Sequence, residues 1–325
     1  MPDLTKPRPF RAAIMRCSIV IPAYNEGALL ARTIDACLET CGNLEHEIIV
    51  ADDASTDGTV AAAGQRFPGI RIVRSRQQQG VAATKHAGAL AACGDVLVFL
   101  DAHCKPEDGC LERLVGDVET RSATSVVTPA VLRLDPAAWT NDPSHVGNGY
   151  RLKLDDLTWG WLERGALRAN AEHLESPCLI GCCLAVARTL YQELWGFDSD
   201  MTCWGVEDVE FGVKAWLLGH PILHQPEAVV GHRFHVATEV YPQAEQHIAA
   251  NQLRMAYKIF SSPVWLEWLA RFRGTVSPRV WDAAWSAFCA RRGSAERERS
   301  YLMQHRVHDE FWYAERFGLS WPKRS

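Results

Sequence analysis

Apolar residues in the first hundred positions come in short runs that stop abruptly at polar ones. Cys17-Ser18-Ile19-Val20-Ile21-Pro22 is a β-branched run stopped by proline. Glu47 to Ala51 ends in Asp52-Asp53, and Ile70 to Val73 and Asp95 to Leu100 follow. Runs of this length bounded by turn formers predict buried strands. Between them the spacing becomes helical. Leu29, Leu30, Ile34 and Leu38 share a face over Ala28 to Thr40; a second helix starts at Ser55 to Thr59, with Ser55 or Asp57 as N-cap; Gly80 to Ala92 is alanine-rich. Strand and helix alternating at this pitch predict an α/β fold, a mostly parallel sheet with helices on both faces.

The pattern continues with a helix over Glu107 to Thr120 and a strand over Ser125 to Leu132. From Asp135 to Ser176 it dissolves, and Trp139, Tyr150, Trp159 and Trp161 stand among Asn, Asp, Gly and Pro. A long aromatic-bearing irregular segment reads as a functional loop on the acceptor side, with simple packing as the alternative. Pro177 to Ala187 predicts a buried strand, Arg188 to Trp195 a short helix, Glu207 to Leu217 a helix opened by acids, and Pro221 to Val230 a strand running into Gly231-His232-Arg233-Phe234-His235. Beyond residue 240 helical spacing dominates, punctuated by Pro263 and Pro278, and predicts three or four amphipathic helices. The organisation expected is a disordered leader at 1–16, an α/β domain at 17–238 and a helical extension at 239–325.

Charge and composition narrow the function. With 34 basic against 39 acidic side chains the net charge is −5, which leaves no basic excess for nucleic acid. No apolar run approaches the roughly 20 residues of a membrane span, and the basic start lacks the apolar core of a signal peptide. A cytoplasmic location is expected. The 11 cysteines are odd in number, irregularly spaced and free of CxxC, which predicts buried reduced thiols.

Ligands of open α/β sheets bind outside the carboxyl ends of the strands. Those ends carry Pro22-Ala23-Tyr24-Asn25-Glu26, Asp52-Asp53 and Asp101-Ala102-His103. No GxGxxG follows the first strand and no GxxxxGK[ST] occurs, which disfavours a dinucleotide site or P-loop. In an extended strand Asp101 and His103 project together, a hard oxygen and an imidazole suited to a divalent metal. Asp52 or Asp53 suits a pyrimidine N–H or ribose hydroxyls. A metal at Asp101/His103 offsets a diphosphate, and Lys85 adds a cation. His232 is the candidate third ligand and His235 its competitor. Glu207 and Asp208 stand at a helix start, where a carboxylate is placed to take a proton from an attacking hydroxyl.

With these residues in place the chain resembles nucleotide-sugar-dependent glycosyltransferases of the GT-A fold. Ser18 to Glu26 is similar to their opening strand, and Ile49 to Thr59 to their second strand and turn. Phe99-Leu100-Asp101-Ala102-His103-Cys104 resembles the DxH motif of polypeptide N-acetylgalactosaminyltransferases, as do Trp204-Gly205-Val206-Glu207-Asp208 and Val230 to Phe234 other motifs of that family. The resemblance implies manganese (or magnesium) on Asp101, His103 and His232, a UDP-linked hexose or N-acetylhexosamine donor, and a peptide or glycan acceptor. It puts Pro22, Tyr24, Glu26, Asp52, Asp53, Lys85, Asp101 and Trp204 on the donor side, with Glu207 and Trp204 shaping the sugar pocket. Asp208 replaces that family's asparagine, and Trp-Gly-x-Glu-Asp-Val-Glu-Phe-Gly resembles inverting enzymes such as chondroitin polymerases, so both stereochemical outcomes stay open. The alternatives are a non-catalytic sugar-nucleotide or glycan-binding protein of the same fold and a nucleotidyltransferase. The latter calls for a glycine- and basic-rich loop where this chain has Ala23-Tyr24-Asn25-Glu26.

Overall fold

In a computed structural model the chain is described over residues 16–121, 123–162, 167–169, 174–234 and 243–321. The leader therefore falls almost wholly outside the described residues, as do His235 and the 238/239 boundary.

The amino-terminal half follows the predicted alternation: β1 (Cys17–Ala23), α1 (Ala28–Thr40), β2 (His46–Asp52), α2 (Thr59–Arg66), β3 (Arg71–Arg74), α3 (Val81–Ala91), β4 (Val96–Leu100), β5 (Cys104–Pro106) and α4 (Cys110–Thr120). β1 and β4 are buried along their whole length, which is why they read as near-continuous apolar runs and not as alternating ones. Then come β6 (Val126–Asp135), β7 (Thr140–Gly147), β8 (Tyr150–Leu152), β9 (Trp159–Trp161), β10 (Arg168–Ala169), β11 (Leu174–Glu175), β12 (Cys183–Ala187), α5 (Arg188–Glu193), α6 (Glu207–Leu217) and β13 (Ile222–His232). The helices α7 (Ala244–Ile259), α8 (Ser262–Phe272), α9 (Pro278–Ala290), α10 (Arg292–His305) and α11 (Glu310–Phe317) close the described chain.

The main sheet has the order β10-β11-β13-β6-β12-β4-β1-β2-β3, with β5 on β13 and β7 on β6. β4, β1, β2 and β3 are parallel, as are β6 and β13. β12 lies antiparallel between β4 and β6. The carboxyl ends of β1, β2 and β4 open on one side, as the sequence predicts.

Four expectations are corrected. Neither Ser55 nor Asp57 caps α2: Gly58 takes the cap position at φ 79°, while Ser55 Oγ accepts from the Asn25 amide and Asp57 Oδ1 from the Thr59 amide. The segment from Asp135 to Ser176 is not irregular throughout, because β7 pairs with β6 and β8 with β9. Only the last five residues of Pro177 to Ala187 form a strand. The carboxyl-terminal region has five helices among the described residues, and α7 is buried along most of its length and not merely on one face.

All eleven cysteines are free thiols and eight of them are buried, as expected. No helix among the described residues is long and apolar enough to cross a membrane.

Candidate active site

β4 ends at Leu100, and Asp101-Ala102-His103 turns directly into β5, with the Cys104 amide donating to the Asp101 carbonyl at 3.2 Å. Asp101 and His103 thus meet across a turn, not at alternate positions of an extended strand. β5 pairs with the end of β13, and that pairing delivers His232. His232 Nε2 lies 3.1 Å from His103 Nε2 and 3.6 Å from Asp101 Oδ2. Ligand atoms of Asp101, His103 and His232 lie within 4.8 Å of one another. Glu26 Oε2 sits 3.0 Å from His103 Nδ1. A carboxylate on one ring nitrogen fixes the imidazole and raises the basicity of the other. Two imidazoles and a carboxylate converging this way fit a divalent cation that accepts mixed N/O ligands.

The charges respond to one another. Burial alone would raise the Asp101 carboxyl, but Lys85, at 3.3 Å, and the two imidazoles outweigh it and hold it well below the usual carboxylate range. Burial likewise opposes charge on His103, yet the Glu26 carboxylate prevails and raises its pKa. Lys85 is 1% exposed and donates to the Gly181 carbonyl at 2.7 Å. It is an internal brace between α3, the turn after β4 and the segment before β12.

Glu207 and Asp208 open α6 and line the same cleft. The loop before them is held at positive φ at Cys203 (55°), Gly205 (96°) and Val206 (77°). A β-branched residue there is a genuine outlier, of the kind that clusters at functional sites. Glu207 Oε2 accepts from the Gly205 amide at 3.0 Å, and Asp208 Oδ2 from the Gly181 amide at 2.9 Å. Burial, with Asp208 adding to it, pushes the Glu207 carboxyl up to about 7. Burial also raises Asp208. Glu207 is buried whereas Asp208 is only partly so, which leaves Asp208 the more reachable carboxylate.

A single cleft is lined by Pro22, Tyr24, Glu26, Asp53, Lys85, Asp101, His103, Trp204, Glu207, Asp208 and His232. Asp52 is the exception among the residues expected there. Its carboxylate turns back to the Ser55 amide (2.8 Å) and to Arg74 (3.2 Å), so it holds the turn after β2 and does not face the cleft. Asp53 lines the cleft while accepting from the Gln79 and Gly80 amides, so it also sets the start of α3. Tyr150 and Phe234 line the wall as well; the sequence marks Tyr150 only as one aromatic of an irregular segment and Phe234 only within a motif. Trp159 approaches Trp204 (6.3 Å between centroids), and Trp161 meets Phe234 edge-on (5.1 Å). Trp139 lies elsewhere, beneath the Arg32 guanidinium.

Residues 18–195, more than half of the chain, match the model of glycosyl transferase family 2. The chain belongs to that family. Residues 165–238 match a second model, described as the N-terminal domain of galactosyltransferase. Among curated relatives, polypeptide N-acetylgalactosaminyltransferase 6 of Mus musculus is 30% identical over 276 residues, 78% of this chain and 44% of the relative. Polypeptide N-acetylgalactosaminyltransferase 12 of Mus musculus is 30% identical over 256 residues, 74% of this chain and 43% of the relative. The chain thus spans less than half the length of these relatives. Among solved structures, GalNAc-T7 with UDP, GalNAc and Mn2+ aligns with a TM-score of 0.71 at 20% identity, covering 94% of this chain and 56% of that one. The mannosyltransferase PcManGT from Pyrobaculum calidifontis, with GDP-Man and Mn2+, aligns with a TM-score of 0.53 at 19% identity over 92% of this chain and 89% of that one. The expected GT-A architecture is therefore the fold of this family 2 member.

Proposed function

We propose that this chain is a metal-dependent glycosyltransferase that moves a hexose or N-acetylhexosamine from a UDP-sugar to a hydroxyl of a peptide or glycan. The observation that carries the reading is one cleft that is lined both by the converging Asp101, His103 and His232 and by Glu207 and Asp208. The relatives named for N-acetylgalactosaminyl transfer and the neighbours solved with UDP, GalNAc and Mn2+ or with GDP-Man and Mn2+ support the same class. In this reading Asp101, His103 and His232 hold Mn2+ (or Mg2+), with Glu26 orienting His103 and Lys85 fixing Asp101. Bound there, the cation would supply charge stabilisation to a departing diphosphate. Pro22, Tyr24, Asp53 and Trp204 shape the donor side. Asp208, the more accessible carboxylate and raised by burial, accepts the proton of the acceptor hydroxyl. That assignment favours inversion at the anomeric carbon. Tyr150, Trp161 and Phe234 offer ring faces to the acceptor. Eleven free thiols support a reducing compartment, the cytoplasm.

The test is a panel of UDP-sugars incubated with Mn2+, with and without chelator, read as UDP release. At least one donor is expected to turn over, and chelation to abolish it. No turnover of any UDP-sugar, together with no metal-dependent UDP binding, would sink the reading.

A further inference from the structure

Two cysteines that the proposed sugar transfer does not use, Cys104 and Cys182, form a second trio of ligand atoms with His232 at the cleft. β5 and β13 place Cys104 directly opposite His232, so the two side chains leave the same face of the sheet. The segment before β12 supplies a third group. The Asp101 amide donates to the Cys182 carbonyl at 2.9 Å, and the Cys104 thiol faces the same carbonyl at 3.6 Å. Ligand atoms of Cys104, Cys182 and His232 lie within 4.8 Å of one another. Cys104 is fully buried and Cys182 is 3% exposed. Cys182 and His232 line the cleft, so a cation arriving there meets them first, with Cys104 beneath. Two sulfurs and an imidazole select a thiophilic cation such as Zn2+ or Cd2+ over Mn2+ or Mg2+.

We propose that Cys104, Cys182 and His232 form a binding site for a thiophilic divalent cation, and that its occupancy excludes a metal at Asp101, His103 and His232. Both sites draw on the His232 imidazole. On binding, two S–H bonds give way to two sulfur–metal bonds, two protons pass to solvent, and no oxidation state changes. The sulfur site rests on its own geometry and not on the sugar-transfer reading; it makes His232 the point at which a thiophilic cation switches that cleft off.

The test uses the full chain with its two exposed cysteines removed (C93S/C289S), titrated with Cd2+ and followed by the ultraviolet cadmium–thiolate band. One equivalent is expected to saturate the band. C104A and, separately, C182S are expected to abolish that tight phase, each with its fold checked by circular dichroism. His232→Ala is expected to weaken it at least tenfold. A band that persists in both cysteine variants overturns the site. In parallel, bound Mn2+ is followed by electron paramagnetic resonance. One equivalent of Cd2+ is expected to displace Mn2+ from the parent but not from C182S. Mn2+ that stays bound beside stoichiometric Cd2+ overturns the exclusion. A protein that binds Cd2+ as described but no Mn2+ at any concentration keeps the sulfur site and removes the proposed function.

Discussion

The two acids that open α6 differ in burial, and that difference assigns them different tasks. Asp208 is partly exposed and anchored by the Gly181 amide. In the proposed mechanism Asp208→Asn keeps the shape and removes the proton acceptor, so kcat is expected to fall by roughly 10²–10⁴ with donor KM little changed. Steady-state kinetics check this, and product anomericity by NMR reads the stereochemistry. Activity that survives nearly intact removes the base assignment. Glu207 is buried, and its carboxyl is pushed up to about 7. The native state therefore keeps a proton that the unfolded chain has already released, so stability falls as pH rises from the ordinary carboxylate range through about 7. Glu207→Gln removes the charge and keeps an acceptor for the Gly205 amide. It is expected to flatten that slope and to gain on the order of 1–3 kcal/mol at pH 8, with little gain at pH 4. Urea unfolding at the two pH values decides it.

At the scale of elements, the strands were legible because β1, β2 and β4 each hold a short, mostly apolar run that stops at polar residues. That Asp101 and His103 belong to a cleft was legible for the same reason, since strand ends are where such sheets bind. What could not be read was pairing. Nothing local says that β12 inserts antiparallel beside β4, or that β5 pairs with β13 and brings His232 to His103. Asp52 was misplaced because a carboxylate at a strand end looks the same whether it faces a ligand or its own turn, and only Arg74 and the Ser55 amide settle the matter. Lys85 reads in the sequence as a cation for the donor; that it braces Asp101 and the Gly181 carbonyl cannot be read there, because both partners are remote in sequence. Gly80 is a junction of the same kind. It sits at φ 103° against the backbone of Cys203, and a Cβ there would lie 2.5 Å from the Cys203 amide nitrogen. The Val81 amide also donates to the Cys203 carbonyl. Gly80→Ala must therefore push the Trp204 loop away from the start of α3. The expected cost is about 1–3 kcal/mol, with a raised donor KM and a shifted tryptophan fluorescence. Unchanged emission and unchanged KM would show that the contact yields cheaply.

At the scale of the whole molecule, the carboxyl-terminal helices are tied to α6 and the loop before it by buried polar and charged groups. Asn251 of α7 accepts from the Thr202 amide and donates to the Gly205 carbonyl, so α7 holds the loop that precedes Glu207. Between α6 and the carboxyl-terminal helices Asp198, Glu210 and Glu298 meet Lys214, Arg254 and Lys258, with Asp200 at the edge of the cluster on Arg254. Lys258 is the hub. It is fully buried, contacts Asp198, and lies 2.8 Å from Glu210 and 2.9 Å from Glu298. Its partners overcome the penalty of burial and hold its ammonium in the charged form. A balanced buried cluster is not in itself strongly stabilising, but removing one member strands a charge. Lys258→Met is therefore expected to cost about 3–5 kcal/mol. The second substitution separates stranded charge from lost packing. Glu210→Gln added to Lys258→Met restores neutrality, and is expected to return a sizeable share of the loss, because residues in one ionic network do not add independently. Thermal unfolding of the single and double variants measures both. If the double variant is no more stable than Lys258→Met alone, the helices are held by packing and the charges are incidental. If it recovers, the charge cluster is what clamps α6, and with it Glu207 and Asp208, to the rest of the molecule.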